Sequence, residues 1–337
     1  MIVPRRRFLF GFGLECLSIG LPTCALLAPP AKASKNFDPR DKFRILFEDH
    51  FDVLSLRTGG PTEAGLLSGK GRWTPRYCFN ENPKGLTFAA NEEQQWNVDP
   101  SFAWPSAYPA QGQFSAINSI LRIRAERTPQ ILSHDLPDNP KTGRIYEWVS
   151  GVLTTHHTAS FGAPAYFEML AKVPKGQATW PAFWALGENK AEHREIDFME
   201  FIGSRPSWSS AAAHVIDRDG IWRKSANWTE RNCGDLSQDF HLFGCLWLPD
   251  ALIYFLDDHE IFRCRPHELM AGVQVYLILN LSVGGKWPGN ADETTPSPAD
   301  YFIDYVRVFG DDTTLYQVTD EIVPSWPERA KGARRDL

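Results

Sequence analysis

"HREIDFMEFIG", residues 193–203, is the stretch on which the fold turns. It holds three carboxylates, Glu195, Asp197 and Glu200, among apolar residues. Periodicity alone admits a helix: Phe198, Phe201 and Ile202 fit one stripe, with the acids in an N-terminal turn where the dipole favours negative charge. The surroundings favour a strand. Aromatic and β-branched residues are dense, and "WPAFWAL" (Trp180–Leu186) just upstream is strand-like too. On a strand alternate residues share a face, so Glu195 and Asp197 point one way and Glu200 the other. A β-bulge near Phe198–Met199 resets the alternation and returns Glu200 to the face of the other two.

Three acids on one face have a definite chemistry. Cleavage of a glycosidic bond with retention needs one carboxylate as nucleophile and one carboxylic acid to protonate the leaving oxygen, about 5–5.5 Å apart. Same-face positions on a strand are about 7 Å apart, so the side chains must lean inward across Asp197, helped by a concave sheet. Clustered like charges cannot all ionise freely, and at least one pKa must rise. A solvated acidic strand face is the bland alternative. A lone ExDxxE arises by chance in many chains, so it does not decide the matter alone.

Outward from the motif, short apolar runs alternate with Gly, Pro, Asn and Asp clusters, the pattern of an all-β chain. Strands are expected at Ser119–Arg127, Pro164–Pro174, Gln274–Gly285 and Tyr301–Gly310, with a hairpin over Ala251–Arg265 turning at Asp257–His259. No long amphipathic helix, repeat or heptad is present. Composition does not shift between Asp38 and Gly310, which implies one domain of two packed antiparallel sheets. The chain has 337 residues and a net charge of −6, with no basic block outside the termini, so the footprint of a nucleic-acid binder is missing. Twelve Trp serve a large aromatic core first and sugar-stacking platforms second.

The N-terminal stretch reads as an export signal: Arg5, Arg6 and Arg7, an apolar run from Phe8 to about Leu27, and "AKA" ending at Ala33 as cleavage site. "RRRFL" is similar to the twin-arginine consensus. The expected organisation is a signal over 1–33, one catalytic domain over 34–310 and a polar tail over 311–337. The mature chain would be periplasmic or secreted, with no later segment able to span a membrane. Cys78, Cys233, Cys245 and Cys264 remain after cleavage and permit two disulfides in three connectivities. Cys245 and Cys264 lie in apolar runs and equally suit buried free thiols.

"EIDFME" resembles the six-residue, bulged catalytic signature of glycoside hydrolase family 16, the laminarinase, lichenase and agarase group. Separated segments agree in order: "GVLTTHHTASFG…YFEMLAKVPKGQATWPAFWAL", "DFHLFGCLWLPDALIYFLDDHEIFR" and "LILNLSVGGKWPGNADETTPSPADYFIDYVRVF". "GRWTPRY" and "NEEQQWNVDP" are similar to a bacterial exopolysaccharide-depolymerase branch. The resemblance implies an all-β, concanavalin A-like jelly-roll β-sandwich of two antiparallel sheets with a concave substrate cleft. It makes Glu195 the nucleophile, Asp197 its tuning partner and Glu200 the acid/base. It places Trp180, Trp184 and Trp287 at aromatic cleft positions, His214 near the acid/base and Asn91 at the non-reducing side. For these five, core or structural roles compete with sugar binding, and Trp287 in its "GGKWPG" loop best suits stacking. No organic or redox cofactor is implied. A structural Ca²⁺ held by the Asp of the last strand, here Asp304, is implied on the convex face. Departures lie at the cleft border: Leu170 where Arg is frequent, "APAY" for an aromatic turn, and His193 where members carry Trp two residues before the nucleophile. The expected function is a monomeric retaining endo-β-glycanase acting on β-1,3/β-1,4 glucosidic bonds of a polysaccharide, with succinoglycan-type exopolysaccharide or laminarin and mixed-linkage glucan as substrates. A non-catalytic glucan-binding protein and a transglycosylase are the alternatives.

Overall fold

The acid-bearing stretch is a strand, Arg194–Glu200, and not a helix. In the computed structural model it lies inside an eight-stranded sheet. The order is Trp222–Glu230, Ser209–Ile216, Arg194–Glu200, Thr179–Gly187, Val275–Val283, Ala159–Phe161, Tyr316–Val318, with Val152–Thr154 also paired to Val275–Val283. All these pairings are antiparallel. The structure describes residues 38–58, 69–77, 85–88, 91–101, 104–139, 143–189, 192–216 and 219–318. The signal expected over 1–33, Cys78 and most of the tail lie outside these.

A second sheet backs the first. It runs His259–Cys264, Leu252–Leu256, His241–Trp247, Ala165–Lys172, Ala299–Gly310, Ile120–Arg127, Trp148–Ser150, Gln95–Val98 and Gly85–Leu86. Arg44–Asp49 joins Ala299–Gly310, and Phe114–Ile117 joins Ile120–Arg127. Gln95–Val98 and Trp148–Ser150 run parallel; the other pairs are antiparallel. The expected sandwich is therefore the observed one. The Ala251–Arg265 hairpin turns on Asp257 and Asp258, with φ of 49° and 65°, the left-handed pair that a two-residue turn requires. His259 already begins the returning strand.

Alternation along each strand builds the core. Val275, Leu277, Leu279, Leu281 and Val283 send every second side chain of one strand into the main apolar cluster. Phe167, Met169 and Ala171 do so from the opposite sheet. The intervening residues of the first sheet, Tyr276, Ile278, Asn280 and Ser282, face the other way. That outer face carries the functional candidates. Cys233, Cys245 and Cys264 form no disulfide with one another.

Candidate active site

Register shows how one strand presents three acids. Glu195 pairs with His214 on one side and Leu186 on the other, and Asp197 pairs with Ala212 and Trp184. Glu200 then pairs with Ser210 and Ala182, after a shift on both sides. Phe198 and Met199 form the bulge, at the position expected. Both point into the core, at 3% and 0% exposure. Phe198 stacks on Phe167, with ring centroids 4.7 Å apart and planes at 19°, and packs at 4.7 Å against Phe183. Two consecutive inward side chains leave Glu195, Asp197 and Glu200 as successive outward ones. The chain leaves the strand through Gly203, whose N–H donates to the Thr179 carbonyl at 2.9 Å. A Cβ there would meet Thr179 Oγ1 at 1.9 Å and the Gly176 carbonyl oxygen at 2.6 Å, so only glycine fits this approach.

Each acid has its own partner. His193 Nε2 lies 2.9 Å from Glu195 Oε2, and His214 Nε2 lies 3.4 Å from Asp197 Oδ2. Trp180 Nε1 donates to Glu200 Oε1 at 3.2 Å. Burial and the flanking charges of Glu195 and Glu200 push the Asp197 carboxyl well above the carboxylate range. Burial acts to raise Glu195 as well. The hydrogen bond and charge of His193, the charge of His214 and a hydrogen bond from Asp197 outweigh it and hold Glu195 below its ordinary value. The strand therefore carries two carboxyls, two residues apart, whose pKa values are pushed in opposite directions.

Aromatic side chains flank the acids. Trp180 meets Trp287 edge-to-face at 5.4 Å, and Trp287 is 40% exposed on its loop. Trp184 is half-buried and belongs to the floor: its indole N–H donates to Asn280 Oδ1 at 2.7 Å and its ring packs 6.2 Å from Tyr77. Asn91 sits beside the Trp287 loop, accepting from Lys286 N–H through its carbonyl at 2.9 Å. Its amide is already engaged, donating to Glu93 Oε1 at 3.1 Å.

A family model for glycosyl hydrolases family 16 matches residues 111–307. The chain belongs to glycosyl hydrolase family 16. Endo-1,3-1,4-beta-glycanase ExsH of Rhizobium meliloti (strain 1021) is 30% identical over 264 residues, 78% of this chain and 51% of that protein. The chain thus spans about half the length of the curated relatives it matches first. An endo-beta-1,3-glucanase from Pyrococcus furiosus superposes with a TM-score of 0.58 at 28% identity, covering 79% of this chain and 94% of that one. The laminarinase catalytic domain of Thermotoga petrophila RKU-1 gives a TM-score of 0.60 over 80% and 99% at 24% identity, a likeness of fold.

Within this family-16 chain the structure brings Glu195, Asp197, Glu200, Trp180, Trp184 and His214 to one sheet face, with Trp287 and Asn91 on adjoining loops. Asp304 is on the other sheet, in Ala299–Gly310, at a register shift opposite Leu170 and Ala171. Among the described residues it joins no trio of His, Cys, Asp or Glu donor atoms within 4.8 Å of one another.

Sequence reading missed several site residues. The sequence marks His193 only as a departure from the family pattern, although residues two apart on a strand share a face and so bring it to Glu195. A buried polar chain also escaped it. Asn280 Nδ2 donates to Ser282 Oγ at 3.0 Å, and Ser282 Oγ donates to Glu93 Oε2 at 3.2 Å. Gln95 Nε2 donates to the same Glu93 oxygen at 2.7 Å. Burial lifts Glu93 to about 7 against the pull of hydrogen bonds from Asn91, Gln95 and Ser282. No local pattern signals partners so far apart in sequence.

Proposed function

We propose that this protein is a retaining endo-β-glycanase that hydrolyses internal β-1,3 or β-1,4 glucosidic bonds of a polysaccharide. The bulge at Phe198–Met199, which sets Glu195 and Glu200 on one face with Asp197 between them, carries this reading. Ionised Glu195 attacks the anomeric carbon while the carboxylic acid of Glu200 gives its proton to the bridging oxygen. The aglycone half leaves with that proton, and the glycone is held as an ester on Glu195. Glu200, now a carboxylate, takes a proton from water, whose oxygen displaces Glu195 and restores both groups. Asp197, protonated, donates to Glu195 and shields it from the second negative charge. Indole faces at Trp180 and Trp287 stack on the apolar faces of the sugars, and Trp184, His214 and Asn91 contribute to the rim and floor of the subsites.

The substrate class rests on the relatives. ExsH and a second R. meliloti protein, EglC, are named endo-1,3-1,4-beta-glycanases, and the neighbouring folds are laminarinases and a β-1,3-glucanase. Succinoglycan-type exopolysaccharide comes first and laminarin or mixed-linkage glucan second. The basic and apolar N-terminus supports export to the periplasm or beyond, and no helix among the described residues is long and apolar enough to cross a membrane. A structural Ca²⁺ at Asp304 would take the Asp304 carboxylate with further oxygen ligands, which carboxylates, side-chain and backbone carbonyls and water can supply. The test is incubation of mature protein with defined β-glucans and bacterial exopolysaccharides, followed by fragment sizing. Internal cleavage into intermediate lengths is expected. Binding without new reducing ends would make it a glucan-binding protein instead.

A further inference from the structure

Outside the catalytic strand, His156, His157 and Glu188 bring one donor atom each to within 4.8 Å of one another. His156 and His157 follow the strand Val152–Thr154, and Glu188 follows Thr179–Gly187. The trio lies at the end of the acid-bearing face beyond Glu195. Glu188 is two residues past Leu186, the cross-strand partner of Glu195, and the His156 ring packs 4.7 Å from Tyr276, the other partner of Leu186.

The backbone is built to converge these side chains. Consecutive residues ordinarily point apart, but His157 has a φ of 65°, which turns its ring back to lie 3.5 Å from that of His156. Contacts from outside the turn hold that conformation. Thr74 Oγ1 donates to the His156 carbonyl at 3.2 Å, and Arg57 Nη1 donates to the His157 carbonyl at 3.0 Å. Glu188 is fixed by its own N–H on the Gln274 carbonyl at 3.0 Å. His156 is almost fully buried, Glu188 half-buried and His157 exposed, so an ion here has a protein wall and an open side to water.

We propose that His156, His157 and Glu188 bind a divalent transition-metal ion of the zinc class. Two imidazoles and one carboxylate are a donor set for Zn²⁺, with an open position for water, whereas the all-oxygen preference of Ca²⁺ or Mg²⁺ is not met. Two donors on a tetrahedral Zn²⁺ with bonds of about 2.0–2.1 Å lie about 3.4 Å apart. His156 Nε2 and Glu188 Oε2 are already 3.5 Å apart. Such an ion ties the His156–His157 turn to the end of the strand that pairs with the catalytic one.

The mature protein, stripped with chelator and dialysed, is titrated with ZnCl₂ by calorimetry and with CoCl₂ by visible absorption. One Zn²⁺ per chain is expected, with a Co²⁺ spectrum of nitrogen and oxygen ligation. His157→Ala, at an exposed ring, and Glu188→Gln each weaken Zn²⁺ binding at least tenfold, while Glu195→Gln leaves it unchanged. In the candidate active site Glu195, Asp197 and His214 also bring metal-binding donors together, so that control separates the two sites. Absence of binding, binding unaltered in His157→Ala, loss in Glu195→Gln, or a thiolate-to-cobalt charge-transfer band would overturn the proposal.

Discussion

Glu195 and Asp197 are two residues apart on one strand, and their carboxyls are shifted in opposite directions. The difference comes from their neighbours: His193 supports the charge on Glu195, whereas Asp197 faces two acids. His193 is a positioning residue in this account. A hydrogen bond to a charged group contributes about 1.5–3 kcal/mol, so His193→Ala should lower kcat roughly 10–100-fold with KM little altered. Without His193 the Glu195 pKa rises, so the acidic limb of the pH–rate profile moves to higher pH. His193→Gln, which keeps an N–H donor, should recover part of the rate; an unmoved acidic limb in His193→Ala would remove the residue from this role. Glu200→Ala should cost about 10²–10⁴-fold on a natural glycan and far less on a substrate whose leaving group needs no proton. Equal losses on both substrates, compared by kcat/KM, which reports the first step alone, would exclude Glu200 as the acid. The three acids were legible because their residue types and spacing lie within one short stretch. Glu93, Gln95, Asn280 and Ser282 were not, because their meeting depends on how two distant segments pack.

At the level of the element, the bulge is held from the core side. Phe198 fills space between Phe167 and Phe183, and Met199 is fully buried beside it in sequence. Phe198→Ala should destabilise the fold by about 3–5 kcal/mol, the cost of a buried aromatic, measured as a shift of the denaturation midpoint. A near-neutral result would mean that the bulge is fixed from the cleft side instead. The alternation in the sequence foretold that Glu200 would face away unless a residue were added, and the chemistry of paired acids located the addition. Strand ends were less legible: Tyr301–Gly310 begins two residues earlier, at Ala299, because pairing with Ile120–Arg127 extends it. Periodicity left helix and strand open for "EIDFMEFIG". Ladder pairing with Thr179–Gly187 and Ser209–Ile216 decides it, and that information lies outside the segment.

For the whole molecule, two sheets bury one face of each against the other and leave an outer face on which the acids, indoles and a buried polar chain gather. Glu93 joins that face to the Asn91 loop, and its carboxyl is raised from 4.5 to about 7. Between these values the folded chain holds a proton that the unfolded chain has lost, so stability falls as pH rises through this window. The full effect is about 3 kcal/mol. Glu93→Gln should flatten the dependence of unfolding free energy on pH between about 4.5 and 7; an unchanged slope would show that Glu93 does not titrate there. All-β class and the sandwich were legible from alternation and the spacing of turns. The central claim is that Glu195 and Glu200 act in turn on one anomeric carbon. Proton NMR of the first reducing ends released from a cleaved β-glucan tests it most directly. The account predicts that the β-anomer appears first and then equilibrates; initial release of the α-anomer would contradict it.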